Sequence, residues 1–143
     1  MTSLRRKCQI SGVAVRWTFD DKKRLMKVVG EGDITRADVD LVFDALVEHG
    51  ALGYRKLVDL RQSSPAMSGE EMLELGVRAR ALHGTGKMGA LALVLPEDRG
   101  AEAEPLIGMV SVADRPMRIF RALGQATRWL DGQKPATEKA PPK

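Results

Sequence analysis

The chain has one cysteine, Cys8, and only two histidines, His49 and His83. A lone thiol closes no internal disulfide, which favours a reducing compartment. Aromatic residues make up 4% of the sequence, too few for the stacking platform that single-stranded nucleic acid needs. No apolar run approaches the ~20 residues that span a bilayer. The basic residues Arg5, Arg6 and Lys7 lead into Gln9, Ser11, Gly12 and Arg16 rather than a signal-peptide core. The expected setting is therefore cytoplasmic. Excess charge is small too: the net +4 is spread between the N-terminal segment and Lys134, Lys139 and Lys143. Nucleic acid is accordingly not an expected partner.

What is present is an ordinary globular composition, 43% hydrophobic and 29% charged over 143 residues. A chain of this length can bury roughly two thirds of its unfolded surface without a metal or disulfide staple. We expect one domain over residues 11–132, preceded by a flexible arm at 1–10. A disordered tail is expected at 133–143, where three of the seven prolines lie.

Val13, Val15, Trp17 and Phe19 alternate with smaller or polar residues, the period of a strand with one buried face. After the turn Asp20–Lys23, residues Arg24–Val29 are predicted to return antiparallel, ending at Gly30 and Gly32. Thr35, with Asp38 three residues on, marks a capped helix start. Val39, Val42, Phe43 and Leu46 form the inward stripe of that helix, and Gly50 ends it. A strand is expected over Arg55–Leu60, followed by a loop through Ser63, Ser64, Pro65 and Ala66.

Ser68, with Glu71 in the capping-box position, opens a second helix whose stripe is Met72, Leu75, Gly76, Ala79 and Leu82. Glu74 and Arg78 are spaced for an ion pair along it. Ala90–Leu95 is continuously apolar, as in a strand covered on both faces. Pro105 suits a first helical turn that would carry Leu106, Met109, Val110 and Val112 inward. Periodicity leaves Met117–Arg121 open between strand and helix, and Gly124–Leu130 reads as a closing helix. The predicted class is α/β: a mixed sheet with an antiparallel N-terminal hairpin, parallel crossovers, and helices mainly on one face.

Several segments in this order resemble the STAS superfamily, and within it the SpoIIAA-like group of small bacterial domains. They are Val28-Val29-Gly30-Glu31-Gly32-Asp33-Ile34-Thr35, Leu57-Val58-Asp59-Leu60-Arg61, Ala90-Leu91-Ala92-Leu93-Val94 and Arg118-Ile119-Phe120-Arg121, continuing to Ala126-Thr127-Arg128-Trp129-Leu130. The resemblance implies that Met117–Arg121 is the closing strand. It also implies a regulatory or protein-interaction role and, at the start of the second helix, the phosphorylatable serine of an Asp-Ser-Ser-Gly motif. The sequence departs there, with Ala66-Met67-Ser68-Gly69, so phosphorylation-driven switching is not expected.

No catalytic constellation, metal-ligand spacing or cofactor motif emerges. Gly84-Thr85-Gly86-Lys87-Met88-Gly89 matches a dinucleotide fingerprint in letters only, because it leaves a helix rather than opening one. His49 and His83 each precede a helix-ending glycine, where imidazole can serve the last carbonyls. Asp40, Asp44 and Glu48 read as a solvated helix face, and Arg118, Arg121 and Arg128 as a candidate phosphate-contacting set. The candidate interaction edge is Asp59, Arg61, Ser63, Ser64 and Ser68, where open α/β sheets place ligands. The expected partner is a protein, including a second copy of the chain. The alternative is a small apolar or lipid-like ligand between the sheet and the Leu106–Val112 helix, with Met67, Met72, Met88, Met109 and Met117 as its adaptable lining.

Overall fold

A computed structural model describes residues 14–96, 108 and 115–134. The elements are β1 (Val15–Asp20), β2 (Leu25–Ile34), α1 (Arg36–His49), β3 (Arg55–Pro65), α2 (Gly69–Thr85), β4 (Leu91–Val94), β5 (Met117–Phe120) and α3 (Leu123–Asp131). The expectations placed on Cys8, on the 1–10 arm, on the Leu106–Val112 helix and on the tail beyond Lys134 lie outside the described residues.

The five strands form one sheet in sequence order, β1-β2-β3-β4-β5. β1 and β2 are antiparallel and every later neighbour is parallel. This order has a mechanical consequence. Right-handed crossovers that step the same way along a sheet all pass over the same face. Accordingly α1 and α2 pack together on one face, with Phe43, Leu46, Leu75 and Ala79 buried against Met26, Val28 and Leu93. The other face is left for α3, whose Ala126 and Leu130 meet Leu25, Leu57, Ala92 and Val94. The four residues of β4 are all buried, as a strand covered on both faces requires.

Both predicted capping boxes form, at Thr35/Asp38 and Ser68/Glu71. Gly50 closes α1 in the left-handed region, φ 67°. Residues 117–120 are strand, paired with β4 from Leu91↔Met117 to Val94↔Phe120.

Three local readings are corrected. β2 continues through Gly30 and Gly32 to Ile34, and β3 continues through Ser63 and Ser64 to Pro65, so the serines expected in a loop belong to a strand. The cause is a bulge. Val29 pairs with Asp59 but Glu31 with Gln62, which gives β3 one extra residue at Leu60–Arg61 and breaks its alternation. Gly30 lies opposite, where a Cβ would come within 2.8 Å of Leu60 Cδ2.

Arg78 does not pair with Glu74. Its guanidinium reaches across to α1, 2.7 Å from both Asp40 and Asp44, while Glu74 meets Arg36. Two of the acids read as a solvated face, Asp40 and Asp44, thus join two helices.

The histidines do not serve their own helix ends. His49 Nε2 lies 2.7 Å from Asp21 Oδ1, and its ring stacks on Phe19 at 3.8 Å. His83 Nδ1 accepts the Met88 amide at 3.2 Å.

The loop into β4 passes close under the α1–β3 connection. A Cβ on Gly89 would sit 2.4 Å from Tyr54 O and 2.5 Å from Gly53 O, and backbone on both sides cannot swing away. Gly69, by contrast, opens α2 with nothing within 4 Å of its Cβ position. Gly89→Ala is therefore expected to cost about 2 kcal/mol or more, a fall of roughly 6 °C in Tm. Gly69→Ala is expected to be neutral or stabilising by up to about 1 kcal/mol. Thermal melts of the two variants check this, and equal effects would contradict the close approach.

Candidate functional site

The five residues of the expected edge follow one another along β3 and into α2, but the structure does not bring them together. Asp59 pairs in register with Val29 and Val94, on the α3 side of the sheet. Arg61 folds back on it as a fork, Nε to Oδ1 at 2.9 Å and Nη2 to Oδ2 at 2.8 Å. That hydrogen bonding holds the Asp59 carboxyl below its ordinary range despite partial burial. Ser63, beyond the bulge, is buried on the opposite side and donates to Leu60 O at 3.1 Å. Ser64 is half-buried and in register with Asp33. Ser68 accepts the Glu71 amide at 3.0 Å, while Glu71 Oε1 accepts the Ser68 amide at 2.9 Å. Its hydroxyl is engaged in starting α2.

The α1 side of the sheet holds a different feature. A cavity of about 130 Å³ lies between α1 and strands β2, β3 and β4, walled by Val28, Val42, Phe43, Val58 and Leu93. Val39 and Val42 belong to α1's inward stripe yet stay half-buried, because they line this space rather than packed side chains. The bulge contributes directly: it turns Ser63 and Pro65 to the same side as Leu60, so all three line the cavity. Met67 and Met88, two of the five methionines offered as an adaptable lining, border this cavity together with Met26. Met72 packs in the core with Leu75 instead. Met109 lies outside the described residues.

Lys56 and Arg115 also line this cavity, with almost none of its surface polar. Lys56 is 4% exposed. Its Nζ donates to the carbonyls of Leu52 and Tyr54, both at 2.7 Å. Burial, with a smaller contribution from Arg115, pushes its pKa well below the ordinary lysine value. Arg115 is lowered to about 10 by burial, and its Nη1 contacts Met88 Sδ at 3.4 Å.

Sequence reasoning missed both. Lys56 fell within the strand expected over Arg55–Leu60 and was given no role there, although it is in phase with Val58 and Leu60. In a strand covered on both faces either phase is interior, so a lysine there must bury its stem and find acceptors. Arg115 carries no periodic signal, standing just before Pro116.

Two of the three candidate arginines have contacts within the chain. Arg118 lies over the Trp129 ring at 5.8 Å, and Arg121 donates to Pro96 O at 2.5 Å. The Gly84–Gly89 segment is a helix exit, as expected, with Gly86 N on Leu82 O. Among the described residues no group of three His, Cys, Asp or Glu side chains converges as a metal site. No described helix is long and apolar enough to cross a membrane.

Comparison with solved structures shows the fold. An uncharacterized protein of the DUF3478 family from Shewanella loihica PV-4, with a SpoIIAA-like fold, matches with a TM-score of 0.55 and 17% identity over 91% of this chain and 98% of that one. The chain has a SpoIIAA-like fold, as the segment resemblance implied. No protein-family model matches it, and no curated protein does.

The Asp21 cluster yields a pH prediction. Tyr54 OH donates to Asp21 Oδ1 at 2.6 Å, and this bond, followed by that of His49, holds the carboxyl below its ordinary value. A carboxyl depressed in the folded state contributes stability that is present above its unfolded pKa and lost as pH falls through the folded one. Asp21→Asn should therefore lower Tm near neutral pH, and its gap from wild type should shrink between about pH 5 and about pH 3. A gap constant over that range in parallel melts would contradict the assignment.

Proposed function

We propose that this SpoIIAA-like domain is a non-enzymatic, cytoplasmic carrier or sensor that holds a small apolar molecule between α1 and the sheet. The observation that carries this reading is the cavity itself. Native interiors contain few voids larger than a water molecule. Apolar walls with a few polar groups are the general make-up of a small-molecule site. Its size sets the class: an apolar protein cavity of ~150 Å³ accommodates benzene, so the ligand is of ring or short-chain size.

Benzene is therefore expected to raise Tm and to shift the NMR signals of the Leu93 and Val58 methyl groups. Val42→Phe, which fills the space from α1, should abolish both effects while remaining folded. Native mass spectrometry of freshly purified protein should retain a small molecule. Benzene that moves no cavity methyl in the wild type would overturn the proposal.

A second reading, a regulatory or protein-interaction role at the Asp59–Ser68 edge, is favoured by one separate observation. Just past Ser68, α2 exposes Leu73 and Val77, 71% and 66% accessible and one turn apart. A protein partner, or another copy of the chain, would cover such an apolar pair. Ser68 separates structure from switching here. Ser68→Ala should cost about 1 kcal/mol through the lost cap bond, and Ser68→Asp should be near neutral, since it keeps the cap and suits the helix dipole. Pull-downs from the host should be unchanged by Ser68→Asp. A partner gained or lost with that variant, its melting curve unaltered, would make Ser68 a switch.

A further inference from the structure

We infer that the outer face of α2 pairs with the same face of a second copy of this chain, the two helices running antiparallel about a two-fold axis at the level of Leu75. This names the occupant of the exposed patch at Leu73 and Val77, and it rests on the interaction reading rather than on the carrier one. What carries it is a self-complementary order of residues along the helix.

Glu70, Leu73, Val77 and Arg80 follow one another at intervals of three, four and three residues, and all four are exposed. That spacing keeps them on one stripe of an α-helix. The opposite side of α2, with Met72, Leu75, Gly76 and Ala79, is buried, and α1 is met through Glu74 and Arg78. Neither the core nor α1 therefore covers the stripe. Neither Glu70 nor Arg80 makes an ion pair among the described residues.

In a two-fold interface, if one residue meets a second across the axis, the second also meets the first. The stripe satisfies this about a single point. Leu73 and Val77 stand two residues either side of Leu75, Glu70 and Arg80 five, and Gly69 and Ala81 six. Antiparallel pairing at that level sets Leu73 on the partner's Val77 and Glu70 against the partner's Arg80, each contact occurring twice. Gly69 and Ala81 flank these contacts, and small residues there let the axes approach to the ~8–10 Å of packed helices. Charge fixes the direction, because a parallel arrangement would set Glu70 beside the partner's Glu70. Antiparallel helix dipoles favour the same arrangement. One helical stripe is smaller than the ~800 Å² per partner of a standard interface, so association is expected to be reversible and micromolar or weaker.

Sedimentation equilibrium of the full chain, from micromolar to millimolar concentration, tests this. The wild type should associate reversibly to dimers, and less so at high salt. Leu73→Ser should weaken association at least tenfold with an unchanged melting curve, since the side chain is exposed. Glu70→Arg and Arg80→Glu each set like charges across the axis, so each alone should stay monomeric. Mixed in equal amounts, they should form a heterodimer at least as tight as the wild-type pair, because both contacts are again of opposite sign. If Glu70→Arg does not fold, Leu73→Ser and Arg80→Glu carry the test. A wild-type dimer unmoved by Leu73→Ser, or a mixture of folded variants that recovers no association, would put the contact elsewhere and end the inference. A wild type monomeric throughout ends it too. The interaction reading then survives if Leu73→Ser loses a partner in host pull-downs, and falls if it loses none.

Discussion

The parallel pairing of β3 between β2 and β4 is the constraint from which the rest of the molecule follows. It makes β3 interior on both faces, so each of its side chains is committed to one helical layer or the other. Leu57 goes to the α3 side and Val58 to the α1 side. Lys56 shares the phase of Val58, and its cationic end is enclosed because the sheet gives it no route to solvent. Held at its two carbonyls, it becomes a fixed polar point in an apolar layer. A surface lysine in the same role would be mobile and hydrated.

The bulge at Leu60–Arg61 modifies that constraint at the other end of the strand. Without it, Ser63 would follow Arg61 and Asp59 in alternation onto the α3 side. With it, Leu60, Ser63 and Pro65 share the cavity side, and the paired β2–β3 ribbon runs on to Ile34 and Pro65. One inserted residue thus both separates the polar side chains of the edge and extends the wall of the cavity.

The sequence conveyed the elements whose determinants are local. Capping boxes, the left-handed glycine after His49 and the continuous apolar run of β4 depend on neighbours within a few positions, and each was legible. β5 was not decided by its own four residues; it took their resemblance to a known closing strand. What stayed illegible depends on contacts between elements. Arg78 chooses Asp40 and Asp44 over Glu74 because α1 lies alongside α2, and His49 finds Asp21 across 28 positions of chain. The cavity is the extreme case, a shape formed between α1 and the sheet that no single spacing encodes. Lys56 and Arg115 carry no local signal, since one is enclosed by the sheet and the other enters the cavity lining.

Arg55, the strand residue before Lys56, points to the opposite side and has a consequence of its own. Its guanidinium donates to Lys23 O in the β1–β2 turn at 2.6 Å, to Leu130 O near the end of α3 at 3.1 Å and to Gln133 O at 3.4 Å. One side chain therefore ties the β1–β2 turn to α3, the last of the described helices. Terminal helices ordinarily fray first, opening at little cost to the rest. Here, undocking α3 strips a buried guanidinium of two of its three acceptors and leaves it held only by the hairpin turn, so the two are coupled. Hydrogen exchange in α3 should follow that of the hairpin, and α3 acts as a latch on the β1–β2 turn rather than as a loose appendix.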